Sequence, residues 1–238
     1  MTWRSLTAFS LALACAAPAV AGNVSGAVEL TNSQDPAVRK NKDYSGVVIW
    51  LTPVGRPAPP APPRHEVMKQ KDRHFIPHVL AIPVGGTVDF PNLDPIYHNA
   101  FSTFSGQPFD TALYPPGTSK AQTFKTPGIV RVFCQIHPTM SAIIAVVPTP
   151  WYGTSAPNGK FTIPNVPAGE YQIQFFHERS LPDRLQFLAK TITVPEEGVT
   201  LPVISISETG YVLAPHLNKF GQPYPPVPDD SSYPGARK

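Results

Sequence analysis

The sequence predicts an all-β protein, built from two small β-sandwiches. Proline is abundant, with 31 of the 238 residues, and charged residues make up only 15% of the chain. Apolar and alternating segments are short and are bounded by Gly, Pro and Asn, a pattern typical of strands joined by loops. Hardly any segment has the 3.6-residue periodicity of an amphipathic helix. These features predict strands throughout, with proline-rich connections between them.

Residues 1–21 have the pattern of a secretory signal peptide. Arg4 precedes an apolar run at 6–17, and an Ala-Val-Ala cleavage sequence ends at Ala21. We expect cleavage after Ala21 and export into an oxidising compartment, most simply a bacterial periplasm. Beyond this segment, no apolar run reaches the ~20 residues that a membrane-spanning helix needs.

Strand signals continue from residue 22 to residue 148. Residues 22–64 hold two predicted strands, at 24–30 and 46–51, and a proline-rich connector at 53–63 that we expect to be extended. Residues 65–148 hold five more predicted strands, at 78–83, 88–90, 121–124, 129–133 and 141–147. The last two are separated by a loop that contains Cys, His and Met side chains.

That loop, Cys-Gln-Ile-His-Pro-Thr-Met at 134–140, places a thiol, an imidazole and a thioether close together. His98, in a loop upstream, offers a second imidazole. Two His, one Cys and a weak Met form the ligand set of a blue-copper electron-transfer site. Thiolate favours Cu(I) and imidazole accepts either oxidation state, so this mixed set suits the passage of one electron.

The cysteine count supports a metal site. The chain has two cysteines, Cys15 and Cys134, and cleavage of the signal peptide would remove the first. An unpaired Cys in an exported protein requires a reason. A buried apolar thiol is the alternative, but His137 and Met140 follow at three-residue spacings and favour a metal ligand. We therefore predict one copper ion of type 1, bound by His98, Cys134, His137 and Met140.

Residues 65–148 resemble a cupredoxin, the family of plastocyanin and amicyanin. The resemblance is carried by Val-Gly-Gly-Thr-Val-Asp-Phe at 84–90, the loop from Asn92 to Asn99, Thr-Pro-Gly at 126–128, and the short Cys-to-Met loop, which is most similar to that of amicyanin. It implies an eight-strand Greek-key sandwich in which Asn99 stiffens the site by hydrogen bonding to the Cys loop. The family's first strand has no obvious counterpart within 65–148.

Residues 149–207 carry a second set of strand signals. Asn-Gly at 158–159 marks a hairpin, and strands are predicted at 161–163, 171–175, 190–194 and 199–206. The stretch from Asn158 to Tyr171 resembles the late half of carboxypeptidase-regulatory-like, or transthyretin-like, β-sandwich modules. Residues 22–64 resemble the early half of the same modules.

These resemblances predict that the cupredoxin is inserted into one small transthyretin-like sandwich, formed by the segments on either side of it. The alternative is sequential packing, in which residues 22–64 donate the missing first strand of the cupredoxin. Pairing of 47–51 with 171–175 would support insertion, whereas pairing with 84–90 would support sequential packing.

Residues 208–238 are predicted to form a Pro-rich tail, largely disordered and most clearly so beyond Gln222. The whole chain resembles bacterial exported proteins described as plastocyanin-like or methylamine-utilisation proteins. Five histidines remain unassigned: His177, at the end of an alternating strand, is predicted to be structural, and four others are predicted to be solvated, namely His65, His74, His78 and His216.

Composition and motifs exclude several classes of function. A formal net charge of +3 provides no basic surface for nucleic acid. The chain has no recognisable nucleophile elbow and no Gly-rich phosphate loop, so we expect it not to be an enzyme. The cupredoxin resemblance implies a periplasmic type 1 copper protein that carries single electrons between periplasmic redox proteins. Two alternatives remain: a periplasmic copper chaperone or storage protein, and a non-redox binding or scaffold protein.

Overall fold

The computed structural model describes residues 21–103, 107–212 and 215–225 of the chain. Apart from Ala21, the predicted signal peptide lies outside the described residues. Within those ranges the protein has eighteen strands and two short helices, so the all-β prediction is confirmed. No helix in the described ranges is both long and apolar enough to cross a membrane.

The elements follow one another along the chain in this order: β1 (Ala21–Thr31), α1 (Pro36–Asn41), β2 (Val48–Pro53), β3 (His65–Val67), β4 (Lys69–Lys71), β5 (His74–Ile76), β6 (Val79–Pro83), β7 (Thr87–Pro91), β8 (Phe101–Ser102), β9 (Phe109–Asp110), β10 (Ser119–Thr123), β11 (Gly128–Phe133), β12 (Ser141–Val147), β13 (Tyr152–Thr154), β14 (Lys160–Pro167), β15 (Gly169–Phe176), α2 (Pro182–Leu188), β16 (Lys190–Val194), β17 (Val199–Thr200) and β18 (Ile204–Ser207).

Strands β3 to β12 form a two-sheet structure that we name the central sandwich. One sheet has the order β10-β7-β3 and the other β6-β12-β11-β8-β9, while β4 and β5 form a small separate hairpin. Strand β3 runs parallel to β7, with Glu66 opposite Val88. This three-residue strand provides an edge that the sequence did not reveal, because it is too short to show an alternating pattern.

Period-two alternation builds the core of the central sandwich. Val130 and Val132 of β11 point inward, as do Ala142, Ile144 and Val146 of β12. The next residue in phase on β11 is position 134, so the strand itself directs Cys134 into the core. The metal-ligand candidates therefore sit at one end of a close-packed apolar interior.

Strands from both ends of the chain form a second two-sheet structure, which we name the flanking sandwich. Its sheets have the orders β14-β1-β17, with β18 also on β1, and β13-β2-β15-β16. Strand β2 pairs antiparallel with β15, and Leu51 lies opposite Ile173. Strand β7 pairs with β10 and β3 instead. The segments before and after the central sandwich thus share one set of sheets and one apolar core.

The two sandwiches contact each other through the back of β2. Ile49 and Leu51 face the flanking core, whereas Val48 faces a separate apolar cluster with Ala145 and Val147 of β12. Because alternate residues of β2 and β12 are buried on opposite faces, both strands read as nearly continuous apolar runs. This double burial explains why residues 47–51, Val-Val-Ile-Trp-Leu, are all apolar.

Two short helices depart from the all-strand prediction. Helix α1 begins with Pro36 at its first turn, and the Asp35 carboxylate accepts a hydrogen bond from Ala37 N at 2.8 Å. This is an N-cap, and Pro is favoured at the first helical position because it needs no partner for its nitrogen. Helix α2 also begins with a proline, Pro182. Elements this short show too few turns for a helical period to be read.

Replacing Asp35 by alanine should lower the free energy of unfolding by about 1 kcal/mol, the usual cost of losing an N-cap. Urea unfolding followed by tryptophan fluorescence measures it. The matched control is Asp35→Asn, which keeps a capping oxygen but loses the ion pair between Asp35 and Arg179, 3.1 Å apart. We expect the asparagine variant to lose clearly less. Equal losses in the two variants would contradict the capping role.

The structure describes residues 208–212 and 215–225 of the predicted tail. Residues 215–225 lie against the central sandwich, and the ring of His216 stacks on Phe133 with centroids 4.0 Å apart. His216 is half-buried, although the sequence predicts a solvated side chain. The low-hydrophobicity composition of the tail did not reveal these contacts because they involve a few aromatic and charged side chains. Residues 213–214 and 226–238 lie outside the described residues.

Candidate metal centre

Three of the four predicted ligands meet at one end of the central sandwich. His98, Cys134 and His137 are all buried, and one donor atom from each lies within 4.8 Å of the others. The Cys134 Sγ is 3.7 Å from His98 Nδ1 and 3.5 Å from His137 Nδ1. Both imidazoles therefore turn the same ring nitrogen toward the sulfur, which leaves their Nε2 atoms directed elsewhere.

The β11–β12 hairpin positions three of the candidates. Phe133 lies opposite Ser141 in the antiparallel register, so residues 134–140 form the connecting loop. Cys134 N donates to Met140 O at 3.1 Å, and Met140 N donates to His137 O at 3.1 Å. These two bonds fold the loop back on itself. Met140 is fully buried and belongs to the same apolar cluster as Cys134.

His98 comes from a different loop, whose backbone is hydrogen-bonded to that of Tyr114. Tyr114 N donates to His98 O at 2.9 Å, and His98 N donates to Tyr114 O at 3.3 Å. The phenol of Tyr114 is itself buried and donates to Phe90 O at 2.7 Å. The imidazole is thus carried on a backbone segment that is anchored to strand β7.

Asp94 is a buried carboxylate that orients His98, and it was not among the site residues predicted from the sequence. His98 Nε2 lies 2.7 Å from Asp94 Oδ2, and the Asp94 carboxylate also accepts from Asp72 N at 2.6 Å and Arg73 N at 2.9 Å. Histidines that bind metals usually donate their second ring N–H to a carboxylate or carbonyl, which fixes the tautomer. This contact leaves Nδ1 of His98 as the nitrogen with a free lone pair toward the sulfur.

The protonation preferences of this pair suit a metal ligand. Burial lowers the pKa of His98, and the hydrogen bond to Asp94 opposes this effect only in part. Burial acts to raise the pKa of Asp94, but N–H donation from Arg73, His98 and Asp72 outweighs it, so that pKa is lowered. At neutral pH the result is a neutral imidazole beside an ionised carboxylate. Only the neutral imidazole can bind a metal.

The Cys134 sulfur lies in an environment with two opposing effects. Burial raises the pKa of the thiol, while N–H groups of Asn99, Ile136 and His137 directed at the sulfur act to lower it. Such N–H donors stabilise a thiolate more than a thiol. The surroundings are therefore prepared for a sulfur that becomes anionic when a cation is present.

Asn99 ties the two ligand loops together. Its Oδ1 accepts from Gln135 N at 2.8 Å, and its Nδ2 donates to Asp110 Oδ1 at 2.9 Å. The hydrogen bond to Gln135 is the contact between Asn99 and the Cys loop that the cupredoxin resemblance implies. The loop of His98 and the loop of Cys134 are thus connected by one side chain.

A two-sheet sandwich that presents a buried His-Cys-His cluster at one end has the organisation expected of a cupredoxin. The chain contains a cupredoxin-like module. None of the known protein-family models matches the chain, and a search of curated proteins finds no match either.

Solved structures do show similarity to the chain. A copper-containing nitrite reductase, NirK, from Thermus scotoductus SA-01 shares 29% identity, with a TM-score of 0.34, over 50% of this chain and 28% of that one. A novel purple cupredoxin from Nitrosopumilus maritimus shares 24% identity, with a TM-score of 0.31, over 34% of this chain and 96% of that one. Amicyanin from Paracoccus versutus shares 21% identity, with a TM-score of 0.32, over 41% of this chain and 91% of that one. This chain thus spans little more than a quarter of the nitrite reductase.

Two other histidines lie where the sandwiches meet. His177 is buried, and its Nε2 is 2.7 Å from Glu208 Oε1, an arrangement that suits the structural role predicted for it. His78 is half-exposed and contacts both sandwiches. Its Nδ1 lies 3.0 Å from Ser141 O in the central sandwich, and its Nε2 lies 2.6 Å from Glu178 Oε2 in the flanking sandwich.

The contacts of His78 should make the protein less stable as the pH rises above neutrality. Both ring nitrogens face acceptors, so both donate only when the ring is charged. The hydrogen bond to Glu178 raises the pKa of His78, against burial and the nearby Arg179 charge. A raised folded-state pKa means that the stabilisation is complete below the unfolded value, about 6.5, and is lost as pH rises through the folded value.

Urea unfolding midpoints measured between about pH 6 and 8 test this dependence. The control is His78→Gln, which keeps a donor and an acceptor but does not titrate. We expect the midpoint of the parent protein to fall more steeply with pH than that of the variant. Parallel pH profiles for the two proteins would rule out the His78–Glu178 contact as the titrating interaction.

Proposed function

We propose that the central sandwich binds one copper ion as a type 1 centre and that the protein carries single electrons. The ligands would be His98, Cys134, His137 and, as a weak axial ligand, Met140. The bound ion would supply one-electron chemistry by alternating between Cu(II) and Cu(I). The observation that carries the proposal is the convergence of the Cys134 sulfur and two imidazole Nδ1 atoms in a buried cluster.

The donor set fits copper on chemical grounds. A thiolate with two neutral imidazoles combines soft and intermediate ligands, and a weak axial thioether completes the set typical of blue-copper sites. A structural zinc site would be expected to offer four strong donors. Among the described residues, no fourth His, Cys, Asp or Glu joins this cluster.

The protein's own contribution is to hold these side chains nearly fixed. Asp94 orients His98, Asn99 connects the two ligand loops, and the hydrogen bonds between positions 134, 137 and 140 close the Cys-to-Met loop. Burial excludes water from the sulfur. Side chains locked by packing and hydrogen bonds need little rearrangement when the charge at the site changes, which favours rapid electron transfer.

The electron-carrier role is tested by comparing two properties of the copper-loaded protein. We expect rapid electron self-exchange, seen as line broadening in nuclear magnetic resonance spectra of mixed oxidation states, and slow loss of Cu(I) to a competing chelator. Slow self-exchange with rapid, reversible copper loss would instead indicate copper storage or delivery. Failure to bind copper would redirect attention to the flanking sandwich as a binding or scaffold module.

The remaining assignments belong to the same proposal. We infer that residues 22–64 and 149–207 form one carboxypeptidase-regulatory-like sandwich into which residues 65–148 are inserted, which the pairing of β2 with β15 supports. Residues 1–21 would direct export, with cleavage after Ala21, and the protein would work in the periplasm. Its partners would be periplasmic redox proteins, and it would itself catalyse no reaction.

A further inference from the structure

The tail residues 215–225, which we name the C-terminal strap, contact the backbone at Cys134. The hydroxyl of Tyr224 donates to Cys134 O at 2.8 Å. The ring of Tyr224 meets His216 edge-on, with centroids 5.1 Å apart, and His216 stacks on Phe133, the residue before the cysteine. The strap therefore covers the outward-facing side of the strand that leads into the ligand loop.

A second set of strap contacts reaches the same loop through Asn99. Lys219 Nζ donates to Asp110 Oδ2 at 2.7 Å, and Asp110 Oδ1 accepts from Asn99 Nδ2 at 2.9 Å. Asn99 Oδ1 in turn accepts from Gln135 N at 2.8 Å. The ion pair with Lys219 thus fixes the Asp110 carboxylate. That carboxylate orients the Asn99 amide, and the amide holds the Cys134 loop at Gln135 N.

Both routes end on one peptide bond. Cys134 O and Gln135 N belong to the same planar unit, whose two polar groups point in opposite directions. Tyr224 holds the carbonyl directly, and Lys219 secures the partner of the N–H through Asp110 and Asn99. Rotation of this peptide would change the backbone angle next to the cysteine and would break both contacts at once.

We propose that the C-terminal strap is a positioning element of the Cys134 site, with Tyr224 and Lys219 as its two positioning residues. It holds the Cys134–Gln135 peptide from both sides and so fixes the direction of the sulfur and closes the loop around it. This inference deepens the proposed function, on which it rests for its copper-dependent part. A tail segment of low hydrophobicity thereby has a defined role, which is to position the Cys134 loop.

The test uses the full chain in a Cys15→Ser background, so that Cys134 is the only thiol. Three variants are compared with this parent: Tyr224→Phe, which keeps the ring but removes the hydroxyl; Lys219→Gln, which removes the charge; and Gln222→Ala, an exposed strap residue that serves as the control. The first readout is the rate at which dithionitrobenzoate modifies Cys134 in the metal-free protein without denaturant.

We expect the first two variants to react about 2- to 10-fold faster, the factor by which losing one hydrogen bond raises the population of an opened loop. The control should react at the parental rate. Urea unfolding monitors the rest of the fold, and a rate increase without a matching loss of global stability assigns the effect to the loop. Parental rates in both test variants would overturn the proposal.

A second readout separates this proposal from the proposed function. The electron paramagnetic resonance spectrum of the Cu(II) form should show altered copper hyperfine splitting in Tyr224→Phe and Lys219→Gln. If the parent binds no copper but thiol rates still rise in the variants, the copper function fails and the strap's positioning role stands. If the parent has a type 1 spectrum and the variants match it in both spectrum and thiol rate, only the strap proposal fails.

Discussion

Replacing Cys134 by alanine is expected to abolish the intense visible absorption of the copper-loaded protein. That absorption requires a copper–thiolate bond, and Cys134 is the only cysteine among the described residues. His98 and His137 would remain as nitrogen donors, so residual copper binding without colour is the expected outcome. The measurement is the visible spectrum after addition of one equivalent of Cu(II), followed by paramagnetic resonance.

Met140→Leu is the matched control for this substitution. Leucine nearly conserves the buried volume of methionine, and a weak axial ligand tunes the reduction potential more than it determines copper binding. The leucine variant should therefore keep the strong absorption and shift the potential. Persistence of the colour in Cys134→Ala would show that another residue supplies the thiolate-like ligand, and the site assignment would be wrong.

Replacing Asp94 by asparagine is expected to weaken copper binding by about 10- to 100-fold, the usual effect of losing the partner that orients a ligating histidine. The carboxylate accepts three hydrogen bonds, from His98 Nε2 and from the backbone of Asp72 and Arg73. An amide has one accepting oxygen and one donating NH₂ group. At one of these positions the NH₂ group of the asparagine would face an N–H donor instead of accepting from it. The His98 ring would then no longer be held in its orientation.

Competition with a chelator of known copper affinity measures this effect. Asp89→Asn is the matched control, because Asp89 is a partly exposed carboxylate of the same sandwich that lies 3.7 Å from the exposed His65. It should bind copper as the parent does. An Asp94→Asn variant with parental affinity and spectrum would show that the Asp94–His98 contact does not orient the ligand.

The strands with strong alternation or continuous burial could be predicted from the sequence. Strand β12 is bounded as the apolar run at 141–147 suggested, and β15 extends the alternating stretch at 171–175 by a few residues. Burial on one or both faces leaves a pattern of period two or an unbroken apolar run. Strands β3, β4, β5, β8, β9 and β13, of two or three residues each, leave no such pattern and were missed, as were the short helices. Strand β17 falls within the predicted strand at 199–206.

The candidate ligands Cys134, His137 and Met140 could be singled out from the sequence because thiol, imidazole and thioether are rare and closely spaced in the loop at 134–140. Asp94 was not identified, since an aspartate in a polar loop is usually solvated, and only its position four residues before His98 hinted at a partner. The strap was missed for a different reason. Its contacts to Asp110 and Cys134 join residues about 90 to 110 positions apart, and no local pattern encodes a contact of that range.

The arrangement of the two sandwiches could be predicted from the sequence only as a choice between two possibilities. The sequence left insertion and sequential packing open, because a buried strand such as β2 can pair with either sheet. The register of β2 against β15 supports insertion. The double burial of β2 then explains why its sequence is apolar on both faces: one face serves the flanking core and the other packs on the central sandwich.

The most direct test of the copper assignment is a titration of the purified protein with Cu(II), read by visible absorption and electron paramagnetic resonance. A type 1 centre at His98, Cys134, His137 and Met140 predicts saturation at one equivalent, an intense copper–thiolate band and narrow copper hyperfine splitting. Binding without that band, or no binding at all, would contradict the central claim that this buried His-Cys-His cluster is an electron-transfer copper site.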